Sequence, residues 1–383
     1  MRLAFVSSNR IPGVGGLSSY VESLAPAVRR HGHDVSVVSL ADAKPGWVRW
    51  FVERPGYAFD YLGAGLGLRW TYPRVEALLA RRLRRLHARA PLDVVMPQDP
   101  VAFRAVERAF PTRRPTVVGT LHGYLVYEHL ADKTLRAGRT EARLWAKERA
   151  YYTGADLLIA VDTRLRDHAV AYGAPATRVR VMKNFVDTEW FSPAPPAGDR
   201  WPGRWIVLCP RRLVAKNGVV FAARAAALLE APHHLVIAGD GPDRPNVEAS
   251  LPKNAEILGY VPHDQLPDLM RRADVVVVPS VHEKGVEEAT SVSAIEAMAT
   301  GRPVVVCAVG GLRELVDDGT NGLVVPERDP AALADAIRRL TAEPELARRL
   351  AAQARRDAVN HFGLDRRVRD YLAYIDEARG GRH

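Results

Sequence analysis

Two glutamates, Glu288 and Glu296, stand eight residues apart in the run EATSVSAIE. On one continuous helix that spacing is just over two turns and would place both carboxylates on the same face. Because the run follows an apolar strand, we expect Glu288 in a loop and Glu296 in a helix that begins near Ser291. A carboxylate accepts two hydroxyl hydrogen bonds at once, which suits a polyol such as a sugar ring or a ribose. The alternative interpretation is a solvated acidic helix start.

The backbone between the two glutamates predicts a site for oxygen ligands. Its amides would form the start of the expected helix, where unpaired N–H groups and the helix dipole attract negative charge. Phosphate or sugar oxygens are the expected ligands of Ala289, Thr290, Ser291 and Val292.

A cluster of positive charge follows the apolar run 205–209. Arg212 and Lys216 stand near the predicted end of that strand, before a helix. Two cations in this position are well placed to hold a diphosphate by charge-assisted hydrogen bonds. A solvated basic loop is the alternative.

Three glycines, Gly13, Gly15 and Gly16, follow the first predicted strand. Glycine lets backbone amides approach a phosphate closely. A dinucleotide fingerprint would need glycine at 18, where Ser18 stands, and an acid at the end of the second strand, near Leu40. Both are missing, so hydride chemistry is disfavoured. The G-x-x-x-x-G-K-[ST] phosphate loop is also absent from the sequence, which excludes a nucleoside triphosphatase of that class.

Polar residues follow two further strands of the first half: His122 after 116–121, and Gln98 with Asp99 after 92–96. Ligands of parallel sheets bind beyond the carboxyl ends of the strands, so we expect His122 at a substrate site and acceptor contact by Gln98 and Asp99. A lone histidine is more often structural, which is the alternative for His122.

The sequence contains no D-x-D motif, no H-E-x-x-H motif and no cysteine cluster. We therefore expect no metal and no other cofactor. The Arg212–Lys216 pair would neutralise a leaving diphosphate instead.

All of these residues lie between alternating β-rich and helical segments. The predicted strands are 3–7, 34–40, 92–96, 116–121, 156–161, 179–182, 205–209, 233–238, 255–258, 274–279, 303–307 and 322–325. The predicted helices include 17–31, 140–153, 217–230, 291–300 and 329–341. Strands that are almost continuously apolar and alternate with helices predict parallel sheets covered on both faces.

The alternation restarts after the segment 190–203, which carries four prolines and two glycines and reads as a linker. We therefore expect an α/β protein with two Rossmann-like domains and a central cleft, one domain at 1–190 and the other at 191–363. The length of 383 residues suits two domains.

The overall composition is that of a globular protein, with 47% hydrophobic and 26% charged residues. No apolar run reaches the roughly 20 residues of a membrane span. The two cysteines, Cys209 and Cys307, lie in separate apolar runs and favour a reducing cytoplasm. The net charge of +10 favours an anionic partner. We expect a nucleotide rather than a nucleic acid.

Two segments of the first half carry less specific signals. The aromatic, glycine-containing segment 44–73 would form either an acceptor-binding wall or ordinary irregular packing. The basic amphipathic helix at 75–89 would either dock peripherally on an anionic membrane or cover the sheet with its leucines. We favour the covering helix.

Taken together, the ordered motifs resemble family 4 of the retaining glycosyltransferases, which have the two-domain GT-B fold. The resemblance covers nearly the whole chain. It rests on the glycine loop at 13–16, the run NFVDTEWF at 184–191, Arg212 with Lys216, AGDGP at 238–242, LGYVP at 258–262, the E-x7-E run and VGGLRE at 309–314.

The resemblance implies a role for each candidate residue. Gly15, Gly16, Arg212 and Lys216 would bind the donor diphosphate, and Ser291 and Val292 would assist them. Glu296 would hold the ribose, Val261 the nucleobase, and His122 and Glu288 the transferred sugar, with Ala289, Thr290 and Ser291 beside it. The first domain would face a hydroxylated acceptor and the second a nucleotide-diphosphate sugar, with a UDP-sugar as the expected donor. A last helix at about 364–383 would pack back on the first domain.

The sequence departs from the family pattern at two places. Ser291 stands where a glycine is common, and Lys216-Asn217-Gly218 replaces a lysine directly before the glycine, so the phosphate lysine is shifted by one residue. Glu287 next to Glu288 leaves open which carboxylate contacts the sugar. A sugar-nucleotide 2-epimerase and a non-catalytic nucleotide-sugar-binding protein stay as alternatives to the transferase.

Overall fold

The computed structural model describes residues 1–13, 16–42, 50, 54–56, 59, 65–131, 134–136, 138–196, 198 and 200–381. The predicted phosphate-binding Gly15 and most of the aromatic segment at 44–64 lie outside them. The chain forms two compact units. The first is Met1–Lys183 with Arg367–His383, and the second is Asn184–Arg366.

The first unit is a parallel α/β domain with six strands. They are β1 (Arg2–Val6), β2 (Asp34–Val38), β3 (Val94–Pro97), β4 (Thr116–Leu121), β5 (Leu157–Ala160) and β6 (Val179–Val181). Its helices are α1 (Gly16–Arg30), α2 (Leu66–Arg89), α3 (Pro100–Ala109), α4 (Leu125–Ala131), α5 (Arg139–Gly154) and α6 (Thr163–Ala171). The strand order is β2-β1-β3-β4-β5-β6, with every described pairing parallel.

The second unit repeats the architecture. Its strands are β7 (Trp205–Cys209), β8 (His233–Ala238), β9 (Ala255–Gly259), β10 (Val275–Val278), β11 (Val304–Cys307) and β12 (Leu323–Val325). Its helices are α7 (Val219–Ala226), α8 (Arg244–Ala249), α9 (Leu266–Arg272), α10 (Val292–Ala299), α11 (Pro330–Ala342) and α12 (Pro344–Phe362). The last helix of the chain is α13 (Leu364–Gly380).

The strand order of the second unit, β9-β8-β7-β10-β11-β12, locates its ligand edge. Strands follow one another outward from β7 in one direction and from β10 in the other. In an open parallel sheet, ligands bind beyond the carboxyl ends of the strands where the order reverses. In this sheet that point lies between β7 and β10, and in the first sheet it lies between β1 and β3.

Alternation along the strands divides the core of the second unit into two layers. Val276 and Val278 of β10 face one layer, which contains Ile295 of α10, while Val275 and Val277 face the other. Both faces are apolar because helices cover both, as expected for a parallel sheet. The two cysteines are free and buried in one layer, and burial raises the pKa of each thiol to about 12.

The boundary between the units falls before the proline-rich linker. Residues after Lys183 are tied to the second unit: the Val186 amide donates to Phe362 O at 2.9 Å, and Val186 O accepts from the Leu364 amide at 2.9 Å. From Arg367 onward the chain belongs to the first unit, where Tyr371 stacks on Phe5 at 6.2 Å between ring centroids.

The basic helix at 75–89 is the later part of α2, which begins at Leu66. The tail of the predicted aromatic loop, with Trp70 and Tyr72, is therefore helical. Leu79 and Leu83 are fully buried, so the apolar stripe covers the domain interior. Among the described helices, none combines the length and the apolar character that a membrane crossing requires.

Candidate active site

A buried arginine connects the loops that follow β7 and β10. Arg211 is 7% exposed. Its Nη2 donates to Glu288 Oε2 at 2.7 Å, Asn217 Oδ1 at 2.7 Å and Ser280 Oγ at 3.2 Å, while Nη1 donates to Ser291 Oγ at 3.0 Å. The planar guanidinium presents several donors in fixed directions, so one side chain fixes the positions of four others. This network lies at the strand-order reversal of the second sheet.

Glu288 lies in the loop before α10, as expected, and its carboxylate is charged. Burial alone would raise its pKa, but the neighbouring Arg211 and Lys216 outweigh that effect and hold the pKa of Glu288 below its ordinary value. Arg211 is the residue that the sequence analysis missed. The doublet Arg211-Arg212 was the available signal, but the sequence does not tell which of the two points inward.

The predicted diphosphate residues occupy the same loop. Arg212 is exposed, and its carbonyl accepts from Asn217 Nδ2 at 2.8 Å. Lys216 is half-buried in a single 3₁₀ turn, and its carbonyl accepts from the Val281 amide at 2.9 Å. Asn217, directly before Gly218, therefore uses its side chain to brace the loop. Diphosphate contact by Arg212 and Lys216 stays a prediction.

Two glycines let these loops approach each other. Gly218 has a φ of +62°, and a Cβ there would lie 2.0 Å from Pro279 O. A Cβ on Gly311 would lie 2.7 Å from Ala289 C, and the Gly311 amide donates to Glu288 O at 2.9 Å. No side chain fits at either place, so both positions require glycine. Gly311 thereby fixes the backbone that carries Glu288.

The N-cap residue of α10 does not cap the helix with its side chain. Ser291 is the N-cap residue, but its hydroxyl accepts from Arg211 and makes no capping hydrogen bond. The carbonyl of Thr290 accepts from Asn184 Nδ2. The amides of Ala289 to Val292 are predicted to bind phosphate or sugar oxygens, and their contact with a donor stays a prediction.

Glu296 lies inside α10 and is buried. Its Oε1 is 3.1 Å from His263 Nε2, and the His263 ring meets Trp190 edge-to-face at 4.8 Å between centroids. The sequence did not predict a role for His263 at this site. His263 follows Val261 by two residues, and Val261 packs against the core of the second unit. The pair orients the Glu296 carboxylate. The histidine engages Oε1, and ribose contact by Glu296 stays a prediction.

In the first unit, His122 and Gln98 form a pair at the carboxyl edge of the sheet. Gln98 is buried, and its Nε2 donates to Met96 O at 2.9 Å, so Oε1 faces His122 Nε2 at 3.0 Å. Burial lowers the pKa of His122 to about 3, so the ring is neutral at pH 7. With Nε2 donating to Gln98, the lone pair is on Nδ1, which can accept from a hydroxyl.

Asp99 has a structural role in the same region. It caps α3 by accepting from the Ala102 amide at 2.8 Å, and its other oxygen accepts from the Ser8 amide at 2.8 Å and Ser7 Oγ at 3.2 Å. Burial raises the pKa of Asp99 despite these hydrogen bonds. Because both oxygens are engaged, Asp99 joins the loop after β1 to the end of β3. Acceptor contact by Gln98 and Asp99 stays a prediction.

The glycine loop after β1 is described at Gly13 and Gly16. A Cβ on Gly13 would lie 2.3 Å from Arg10 O, whereas one on Gly16, the first residue of α1, would meet no atom within 4 Å. The shape of the turn therefore depends on Gly13. In the described part of the chain there is no group of three or more His, Cys, Asp or Glu side chains placed to hold a metal ion.

The model of Glycosyltransferase Family 4 matches residues 14–190, and that of Glycosyl transferases group 1 matches residues 204–343. The D-inositol 3-phosphate glycosyltransferase of Xylanimonas cellulosilytica is 30% identical over 382 residues, covering 92% of this chain and 89% of that protein. The alpha-D-kanosaminyltransferase of Streptomyces kanamyceticus is 32% identical over 225 residues, covering 55% of this chain and 57% of that protein.

The chain matches 57% to 61% of the length of the first three curated relatives. Among solved structures, Anabaena Alr3699/HepE in complex with UDP-glucose has a TM-score of 0.72 at 18% identity and covers 97% of this chain and 99% of that chain. Both units contribute to these matches. The chain therefore belongs to glycosyltransferase family 4 and has the GT-B fold.

Proposed function

We propose that this protein transfers a sugar from a nucleotide-diphosphate sugar to a hydroxyl group with retention of the anomeric configuration. The observation that carries the proposal is the Arg211–Glu288 network at the strand-order reversal of the second unit. A charged carboxylate and a guanidinium are held there beside Lys216 and the start of α10. Sugar hydroxyls and phosphate oxygens are the ligands that this combination recognises.

The donor would lie along the carboxyl edge of the second sheet. Its diphosphate would be held by Arg212, Lys216 and the amides of Ser291 and Val292, and Gly15 and Gly16 remain predicted phosphate-binding residues. Glu296 would accept from the ribose through Oε2, next to its His263 contact. The nucleobase would meet the backbone of Val261.

The transferred sugar would contact the Glu288 loop. The Glu288 carboxylate, held by Arg211, would accept from sugar hydroxyls, and Ala289, Thr290 and Ser291 would lie beside the ring. The neutral His122 would accept another sugar hydroxyl at Nδ1. These groups bind and orient the donor, and none of them is placed as a general base.

The reaction that fits this site is a same-face displacement. The acceptor oxygen forms the bond to the anomeric carbon while the bond from that carbon to the β-phosphate oxygen breaks. The leaving phosphate oxygen takes the acceptor's proton, so the products are an α-glycoside and a nucleoside diphosphate. Positioning of the reactants and the cations around the diphosphate lower the barrier, and no metal step is required.

UDP is the favoured nucleoside diphosphate of the donor, because the similar Anabaena protein was solved with UDP-glucose. The relatives named for inositol phosphate and kanosaminyl transfer favour a small polyhydroxylated acceptor such as a cyclitol or an aminocyclitol. A cell-envelope precursor is the second acceptor class.

The test is nucleoside diphosphate release from a panel of UDP- and GDP-sugars, with and without cyclitol and aminocyclitol acceptors. We expect release that depends on the acceptor, and a product whose anomeric proton has the small coupling constant of an α-glycoside. An epimerase would convert the donor without any acceptor, and a binding protein would hold the donor unchanged. Either result would contradict the proposal.

A further inference from the structure

The loop between β10 and α10 carries Glu288, and a small hairpin precedes that residue. Glu283 and Val286 exchange both of their backbone hydrogen bonds at 2.9 Å, and Lys284 and Gly285 form the turn between them. The φ angle is +48° at Lys284 and +84° at Gly285. A positive φ at both central residues is typical of the type I′ turn of two-residue hairpins. The hairpin ends two residues before Glu288, so its position helps to determine where that carboxylate lies.

Two side chains that follow β12 hold this hairpin. Glu327 Oε2 accepts from the His282 amide at 2.6 Å. Arg328 Nη2 donates to His282 O and, at 3.1 Å, to Glu283 Oε2. Strand β11 lies between β10 and β12, so the loops after β10 and β12 leave the same edge of the sheet about 10 Å apart. Two long side chains bridge that distance, and Glu327 and Arg328 together form a clamp on the hairpin.

Backbone strain marks the same contact. Within the described part of the chain, Lys284 and Arg328 are the two residues other than glycine with a positive φ. Arg328 contacts Glu283, the residue next to Lys284. A side chain in the left-handed region costs free energy, and such residues persist where surrounding contacts offset that cost. Glycine would adopt the φ of +59° at position 328 without strain. The contacts of the Arg328 side chain therefore offset a cost that glycine would avoid.

The clamp is too exposed to contribute much to global stability. The side chains of Arg328 and Glu327 are 47% and 36% exposed. Ion pairs with this exposure add little to the free energy of unfolding, because water and salt screen them. Hydrogen bonds to the backbone of a loop still restrict its position. The guanidinium carbon of Arg328 also lies 5.8 Å from the centre of the Phe221 ring in α7, which restricts the arginine itself. The clamp thus acts on the position of the hairpin.

We propose that Glu327 and Arg328 are positioning residues for the donor's sugar: they hold the hairpin so that Glu288 presents its carboxylate to the sugar hydroxyls. The inference rests on the proposed function, in which Glu288 contacts the transferred sugar. It also assigns Glu283, which is bound to Arg328 in the clamp and is therefore not the sugar contact. The predicted diphosphate cations and the predicted ribose carboxylate lie on other elements. The clamp therefore affects the sugar and not the nucleoside diphosphate.

Amide hydrogen exchange of the full chain tests the clamp without any donor. Arg328→Gly removes the guanidinium, and glycine keeps the backbone conformation without strain. We expect the peptide that contains His282 and Val286 to exchange about threefold to tenfold faster, because hydrogen bonds that restrain it are lost. Arg328→Lys keeps the charge and one donor group, so it should restore part of the protection. Unchanged exchange in Arg328→Gly would overturn the proposal.

Ligand titration separates the sugar from the nucleotide. UDP-glucose and UDP are the first pair of probes, GDP-mannose and GDP are the second, and isothermal titration measures the Kd of each. In Arg328→Gly and Glu327→Ala we expect the Kd of the sugar nucleotide to rise about threefold to tenfold, while the Kd of the nucleoside diphosphate stays that of the wild type. Arg328→Lys should recover part of the affinity. An equal loss for both members of a pair, or no loss for either, would overturn the proposal.

The matched control removes an exposed ion pair elsewhere in the second unit. Arg348→Ala breaks the contact with Glu345 on α12 and should change neither the exchange of the hairpin nor any Kd. Failure of the proposed function has a different signature. A wild type that binds neither pair of probes, or that binds a donor and transfers no sugar, would contradict the transferase. Unchanged exchange in Arg328→Gly would contradict the clamp alone.

Discussion

Arg211 and Glu288 form an ion pair of 2.7 Å in which the side chains are 7% and 13% exposed. They come from loops that follow different strands, and the same guanidinium also holds Ser291 at the start of α10. The pair therefore does two things. It keeps a carboxylate charged at the candidate donor site, and it fixes that carboxylate relative to the helix that would face the phosphate.

The first prediction concerns the coupling of this pair. Arg211→Ala leaves a buried unpaired carboxylate, so we expect it to lower the free energy of unfolding by about 3–5 kcal/mol and to lower turnover. Glu288→Gln removes the charge and should reduce the cost of Arg211→Ala in the double variant. A double-mutant cycle by chemical denaturation measures the coupling. Exposed Arg212→Ala is the control for stability, and additive effects of the two changes would contradict the pairing.

Glu296 and Lys216 should give different kinetic signatures. Glu296→Ala removes the proposed ribose contact, so it should raise the KM and the Kd for the donor, and His263→Ala should do so more weakly because it removes a positioning contact. Lys216→Ala removes charge near the leaving diphosphate and should mainly lower kcat. Steady-state kinetics with donor titration distinguish the two. Wild-type constants in both variants would refute these site assignments.

Gly311 is predicted to be essential to the site. A Cβ at this position would lie 2.7 Å from Ala289 C, so Gly311→Ala must displace the loop that carries Glu288. We expect donor affinity to fall at least tenfold while the chain stays folded by circular dichroism. Gly380→Ala, where a Cβ meets no atom within 4 Å, is the control. Unchanged donor binding in Gly311→Ala would show that this contact does not position the loop.

The neutral state of His122 can be reversed through its partner. Gln98→Glu places a carboxylate near Nε2 and should raise the pKa of His122 from about 3 toward or above its ordinary value. The ring would then become charged and lose its acceptor lone pair as the pH falls. We expect turnover of the variant to decrease at low pH, where the wild type is unaffected. Identical pH profiles for the two proteins would contradict the proposed role of Nδ1.

A buried carboxyl in the first unit should set part of the pH dependence of stability. Glu148 accepts from the Leu125 and Val126 amides at 3.2 and 3.4 Å and from Tyr152 Oη at 2.7 Å. Burial nevertheless raises its pKa to about 7. The folded state holds this proton more tightly than the unfolded state. The contribution of Glu148 to the free energy of unfolding is therefore complete below about pH 4.5 and is lost as the pH rises through about 7.

Glu148→Gln should remove this part of the pH dependence. Between pH 5 and 8 we expect the wild type to lose up to about 3 kcal/mol more unfolding free energy than the variant. Denaturant titrations at several pH values measure both slopes. Parallel slopes would show that Glu148 does not titrate in this range.

The sequence determined the architecture because local patterns specify it. Apolar runs such as 275–278 and 304–307 are long enough for strands and too short for helices, and the strands at these positions were predicted to within about a residue. The linker composition likewise predicted the repeat of the fold. The E-x7-E run after an apolar strand predicted that Glu288 lies in a loop. These features depend on near neighbours in the chain.

The tertiary structure decided which side chains meet. Arg211 and Arg212 are adjacent and chemically identical, and the fold alone turns Arg211 inward to Glu288 and leaves Arg212 exposed. The His263–Glu296 contact and the contact of Arg328 with Glu283 likewise join residues that are distant along the chain. The physical reason is that strand order and helix direction bring distant residues together, and no local pattern in the sequence encodes that proximity.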